Sequence, residues 1–155
     1  MRLGAGLGLR YSDPKATDGV QGRLRTARGA DMHVGPVIAV SDLERAKNFY
    51  EGQLGLVGEE TPGGWLMRAD EGTVCYLLPD VPDAGSTSWP VASFRVIHVH
   101  ATVRALRSKG VEFLGPDDLP FPLDDDGVST DQSGMKVAWM RDPDGSVLTV
   151  FALDS

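Results

Sequence analysis

The stretch RDPDGSVLTVF, Arg141 to Phe151, decides how the rest of the chain is read. Asp142-Pro143-Asp144-Gly145 puts proline at the second turn position, where its fixed φ is pre-set, and glycine where a positive φ is often needed. The turn therefore closes a hairpin between MKVAWMR and SVLTVFAL. Along the second strand, alternation places Val147, Thr149 and Phe151 on one face and Leu148 and Val150 on the other. Apolar residues fill both faces, and one polar residue, Thr149, interrupts them.

Working outward, the rest of the chain follows the same kind of pattern from His33 onward. HVGPVIAV reads as a strand with Pro36, Ile38 and Val40 on one face and His33, Gly35, Val37 and Ala39 on the other. SDLE follows as a capping box, in which Ser41 accepts from the backbone near Glu44 and Glu44 reaches back. The spacing predicts a helix to about Leu54, with Leu43, Ala46, Phe49, Tyr50 and Leu54 as its apolar stripe and Gly55 as its left-handed stop. Three strands come next, LVGEE, WLMRA and TVCYLLP, separated by Pro62-Gly63-Gly64 and Asp70-Glu71-Gly72. Residues 80–90, DVPDAGSTSWP, form a linker. The order then repeats: VASFRVI as a strand, VHATVRALRSKG as a helix with Val99, Val103 and Leu106 inward and Gly110 at its end, VEFLG as a strand, a polar loop, and the closing hairpin. Val40-Ser41-Asp42-Leu43 superposes on Val96-Ile97-His98-Val99. The chain is thus an α+β protein of two β-α-β-β-β modules, about 33–79 and 91–153, and the cleft between strand-rich modules is the natural ligand site.

Composition narrows the function. The 155 residues suffice for one domain with a real core, and a single cysteine, Cys75, excludes an intramolecular disulfide and makes a reducing, cytoplasmic setting the expectation. No apolar run reaches membrane-helix length, so no membrane role is expected. The net charge is −7; residues 1–31 hold six Lys/Arg against three Asp, giving +3, so the remainder carries −10. An acidic body of this kind repels a phosphate backbone, which excludes nucleic acid as the expected partner. Residues 1–31 show neither helical nor strand period and are expected to be a disordered or non-native tail, leaving the domain at 32–155.

Three strings, VSDLERAKNFYEGQLGL, LRSKGVEFLG and RDPDGSVLTVF, resemble the vicinal oxygen chelate superfamily, which includes glyoxalase, bleomycin-resistance protein and extradiol dioxygenase folds. The resemblance implies that the two modules form a cupped mixed sheet, often in a homodimer. It also implies that metal-dependent members hold a divalent ion in the cup with His and Glu side chains, where the ion acts as a Lewis acid. The positions corresponding to those ligands fall on Gly35, Val91, Thr149 and, in the fourth strand, near Tyr76. None is a usual protein ligand for a divalent metal. No metal and no cofactor are therefore expected, and the reading leans away from an enzyme.

The remaining candidates are weaker as chemistry. His33 lies on the strand face of Gly35 and reads as a rim histidine. His98 and His100, two apart at a helix start, point in different directions and read as cap-region residues. Cys75 reads as buried and inert, and Asp124-Asp125-Asp126 as a solvated loop. The cup-lining residues are Val91, Ser93 and Arg95 from one strand and Thr149 and Phe151 from the last, with Tyr76 and Trp139 and with Trp65 or Phe121 as further aromatic candidates. Apolar and aromatic walls with few polar groups suit a small organic ligand, and Arg95 suits a ligand carboxylate or phosphate. The expected function is metal-independent binding of a small molecule, as antibiotic sequestration or metabolite binding. One alternative is a metal-dependent lyase, isomerase or dioxygenase using non-standard ligands such as His33. Another is a dimeric interaction module without ligand. Closure of the cup within one chain and closure across a dimer use the same strand pattern, and the sequence leaves both open.

Overall fold

The computed structural model describes residues 34–153. The tail at 1–31 and His33 lie outside the described residues, so the expectations placed on them go no further here. Two sheets of mixed strand direction are present. β1 (Val37–Ala39), β2 (Val57–Thr61), β3 (Gly64–Arg68) and β4 (Val74–Leu78) form the first, in the order β1-β4-β3-β2, with β1 parallel to β4. β5 (Pro90–Arg95), β6 (Glu112–Phe113), β8 (Lys136–Arg141) and β9 (Val147–Ala152) form the second, in the order β5-β9-β8-β6, with β5 parallel to β9. A short β7 (Ser129–Thr130) also pairs with β8. The two sheets thus repeat one topology: each module's first strand crosses over a helix to lie parallel to its last.

Helix α1 (Leu43–Lys47) continues into a π-type turn over Asn48–Gln53, and α2 spans Val99–Ser108. The expected apolar stripes are the buried ones: Ala46, Phe49 and Tyr50 on the first helical segment, and Val99, Val103 and Leu106 on the second. They pack with Ile38, Val40, Met67, Leu77, Ala138, Met140, Leu148 and Val150 into one apolar cluster. Residues from both sheets and both helices therefore share a single core. Each of the longer helical segments ends as its glycine suggests, Gly55 at φ 79° and Gly110 at φ 87°.

Several local expectations are corrected. The first helix is capped by Asp42, whose Oδ1 accepts from the Arg45 N–H at 3.0 Å. Ser41 does not cap, because Asp144 of the closing turn takes both its backbone N–H and its hydroxyl, and Glu44 pairs with Lys47 rather than reaching back. VEFLG keeps only Glu112–Phe113 as strand. The 124–126 run is more than a solvated loop: Asp124 Oδ2 lies 2.7 Å from His100 Nε2, and Asp126 accepts from Arg104 at 2.9 Å, tying the loop to α2. His98 occupies the helix N-cap without a side-chain cap bond. Among the described residues no helix is long and apolar enough to cross a membrane.

Candidate functional site

The closing turn positions the site. Asp142 is buried, and its Oδ1 accepts from the backbone N–H groups of Asp144 and Ser146. Its Oδ2 accepts from the Tyr50 hydroxyl at 2.8 Å. Burial, together with the neighbouring Asp142 carboxylate, holds the Tyr50 hydroxyl well above the ordinary phenol range, so it remains a donor. Burial also raises Asp142 above the ordinary carboxylate value, against the hydrogen bonds it accepts. Asp144 accepts from Arg45 at 2.8 Å. The linker must pass close to this turn: a Cβ at Gly85, φ 79°, would collide with the Asp144 carbonyl, which only glycine avoids.

From this anchored turn β8 and β9 run antiparallel, and their open face carries most of the expected cup residues. Trp139 stands opposite Thr149, and Thr149 opposite Ser93. These three form one cross-strand row, in which the Ser93 and Thr149 hydroxyls lie 2.6 Å apart. The next row holds Arg95, Phe151 and Val137. Thr149 is 5% exposed, whereas Ser93 and Arg95 are open to solvent. Phe121 reaches Trp139 from the loop, with ring centroids 4.8 Å apart.

Three residues stand elsewhere. Val91 falls at a bulge between Pro90 and Ala92, has no partner across to β9, and packs against the core, so the alternation that aligned it with Ser93 is broken there. Tyr76 belongs to the first sheet, in a row with Val37 and Leu66. Trp65 lies on the helix side of the first sheet, not the open side: its Nε1 donates to Glu51 at 2.7 Å and Lys47 sits 4.0 Å over its ring. Cys75 is buried, and desolvation pushes its thiol up to about 11, which leaves it without thiolate character at neutral pH.

The donor set does not fit the divalent ion that the resemblance implies for metal-dependent members. A Cβ at Gly35 would meet the Val74 carbonyl oxygen at 2.5 Å, so a ligating side chain there requires the backbone to move. Val91 offers no donor, and the Thr149 hydroxyl is already engaged with Ser93. Among the described residues no three His, Cys, Asp or Glu side chains are grouped so as to hold a metal.

Sequence reasoning missed a cleft of about 480 Å³ at one end of this face. Thr87, Trp89 and Pro90 from the linker end, Leu119 and Phe121 from the loop, and Trp139 and Arg141 from β8 line it. Phe121 and Trp139 are already among the expected aromatic candidates, and Trp89 in the linker is the signal left unused.

Two mixed sheets of this repeated topology, the second closed by a DPDG hairpin, define a class of protein built from paired β-α-β-β-β modules. A family model described as Glyoxalase/Bleomycin resistance protein/Dioxygenase superfamily matches residues 32–150, and the chain belongs to that superfamily. No curated protein matches the chain. Among solved structures, a glyoxalase/bleomycin resistance protein/dioxygenase superfamily member from Sphaerobacter thermophilus DSM 20745 is 21% identical with a TM-score of 0.59, over 78% of this chain and 97% of that one. A glyoxalase/bleomycin resistance protein from Catenulispora acidiphila DSM 44928 is 20% identical with a TM-score of 0.58, over 79% and 99%. TnmS3, an antibiotic binding protein from Streptomyces sp. CB03234, is 22% identical with a TM-score of 0.54, over 79% and 98%. At these identities the likeness is one of fold.

Proposed function

We propose that the protein binds a small organic molecule on the open face of its second sheet, without a metal, as an antibiotic-sequestering or metabolite-binding member of its superfamily. The observation that carries this is the Ser93–Thr149 hydroxyl pair, 2.6 Å apart, at the place where the family resemblance would put a metal-ligating carboxylate. Around it Arg95, Trp139 and Phe151 supply one cation and two aromatic surfaces, a composition suited to holding an organic ligand and poorly suited to activating one. Val91, at the β5 bulge, belongs to the second sheet itself, whereas Tyr76 completes the proposed ligand-binding set only if a second element brings the first sheet over this face. A homodimer supplies such an element, and the exposed Val37, Val57 and Leu78 on the open side of the first sheet favour it. The same reading places the protein in the cytoplasm, with no nucleic-acid partner. The relative TnmS3 is itself described as antibiotic binding.

The test is metal analysis of the purified protein together with a thermal-shift panel of aromatic and acidic small molecules. The expected result is no stoichiometric metal and a raised Tm with at least one panel member, lost in Arg95→Ala. Stoichiometric metal that a chelator removes would overturn the reading. A flat panel without metal would replace it with a ligand-free interaction module.

A further inference from the structure

The cleft beside the Ser93–Thr149 row shares Trp139 with the proposed function and adds groups that function does not use. Trp89 is 64% exposed at its edge, and Phe121 and Trp139 meet within it at 4.8 Å with their planes 44° apart. Its volume of about 480 Å³ lies in the range of small-molecule sites. Thr87 also lines it, and the Thr87 hydroxyl oxygen is buried with no hydrogen-bond partner among the described residues. Buried hydroxyls nearly always have a partner, so this one points to a polar group supplied from outside the chain. Arg141 is the one cation among the lining residues. Its Nη1 donates to the Gly145 carbonyl at 3.1 Å, which occupies one of the five N–H donors a guanidinium carries. Asp118, the one lining anion, is turned to structure: its Oδ2 accepts from the Gly115 N–H at 2.9 Å.

We infer that this cleft binds a planar aromatic ring bearing an acceptor oxygen, such as an aromatic carboxylate or a phenolate. The ring lies among Trp89, Phe121 and Trp139, where offset and edge contacts reward a flat π-system over an aliphatic ring of similar size. The oxygen accepts from the Thr87 hydroxyl and the Arg141 guanidinium, satisfying the buried hydroxyl and pairing with the cation. The inference rests on the proposed ligand-binding function and deepens it by naming the ligand class and the residues that select it.

The chain has three tryptophans, Trp65, Trp89 and Trp139, and only the last two line the cleft. Their indole N–H resonances in ¹⁵N-labelled full-length protein, assigned with W65F, W89F and W139F, therefore report the site directly. On titration with 2-naphthoate the Trp89 and Trp139 signals are expected to move saturably and the Trp65 signal to stay. Cyclohexanecarboxylate is expected to move neither. Thr87→Val and Arg141→Gln should each weaken 2-naphthoate by about fivefold or more, the effect of one lost hydrogen bond. Immobile Trp89 and Trp139 signals, equal shifts with cyclohexanecarboxylate, or unchanged affinity in both variants would overturn the inference. A panel molecule that raises Tm through Arg95 and moves the shared Trp139 signal but leaves Trp89 in place would overturn this aromatic site alone and leave the proposed function standing. Chelatable metal in the purified protein would overturn the proposed function alone, whatever the indoles report.

Discussion

A glutamate at position 149 would be a lone carboxylate in a row otherwise occupied by Ser93 and Trp139. Thr149→Glu is therefore expected to bind no stoichiometric Mn²⁺, Ni²⁺ or Zn²⁺ by calorimetry. It should also lose about 1–3 kcal/mol of stability, because a charge replaces a buried, hydrogen-bonded hydroxyl. Tight metal binding by this variant would show that Thr149 does not stand opposite Ser93. Tyr50 offers a second residue-level test. Its hydroxyl donates to a buried carboxylate, so Tyr50→Phe should cost about 1–2 kcal/mol at neutral pH in urea unfolding. The sign of its pH dependence follows from Asp142. Burial raises the folded-state pKa of that carboxyl, so stability tied to its protonated form is fully present below the unfolded value and is lost as pH rises through the folded one. The Tyr50 hydroxyl favours the ionised form, and the penalty for Tyr50→Phe should therefore shrink as pH falls toward about 4. Thr149 was legible in the sequence as a polar interruption on an apolar strand. The hydroxyl pair was not, because Ser93 is 56 residues away.

At the level of elements, the apolar stripes and the glycine stops were legible because each is written within a few neighbouring residues. The cap of α1 was misread for a physical reason. Ser41 and Asp42 are both good cap residues, and the choice between them was made by Asp144, distant in sequence, which captured Ser41. The widened turn over Asn48–Gln53 was not legible either; within it Phe49 and Tyr50, adjacent in sequence, are both buried and meet edge to face at 5.0 Å. The loop after β6 owes its fixed course to its carboxylates. Burial pulls Asp124 upward, but hydrogen bonds from His100 and from the Val128 and Asp126 N–H groups bring its pKa below the ordinary 3.8. A lowered carboxyl contributes stability that is present above the unfolded value and is lost as pH falls through the folded one. Wild-type protein should therefore lose urea resistance as pH falls below the ordinary carboxylate value, and Asp124→Asn should flatten that limb. An acid limb unchanged by the substitution would show that the loop is held by other contacts.

Across the whole molecule, the closing turn of the second module ties down the first helix of the first. Asp144 accepts from Ser41 and Arg45, and Asp142 from Tyr50. Asp144→Ala should cost about 2–3 kcal/mol, since it removes a nearly buried acceptor from several donors at once. Unfolding should nevertheless remain a single transition, because both sheets contribute to one apolar cluster. Two separate transitions in urea would show that the halves are held chiefly by this turn. The sequence by itself determined the order of elements, the repeated module, the inward faces of both helices and the hairpin at DPDG, because periodicity, turn residues and stops act over a few residues. Tertiary structure alone decided that β1 pairs with β4 and β5 with β9, that Trp65 turns to the helix side while Trp139 faces outward, and that Trp89 and Trp139, 50 positions apart, line one cleft. Those outcomes depend on which distant groups compete for the same hydrogen bond or the same buried space, and no local pattern records that competition.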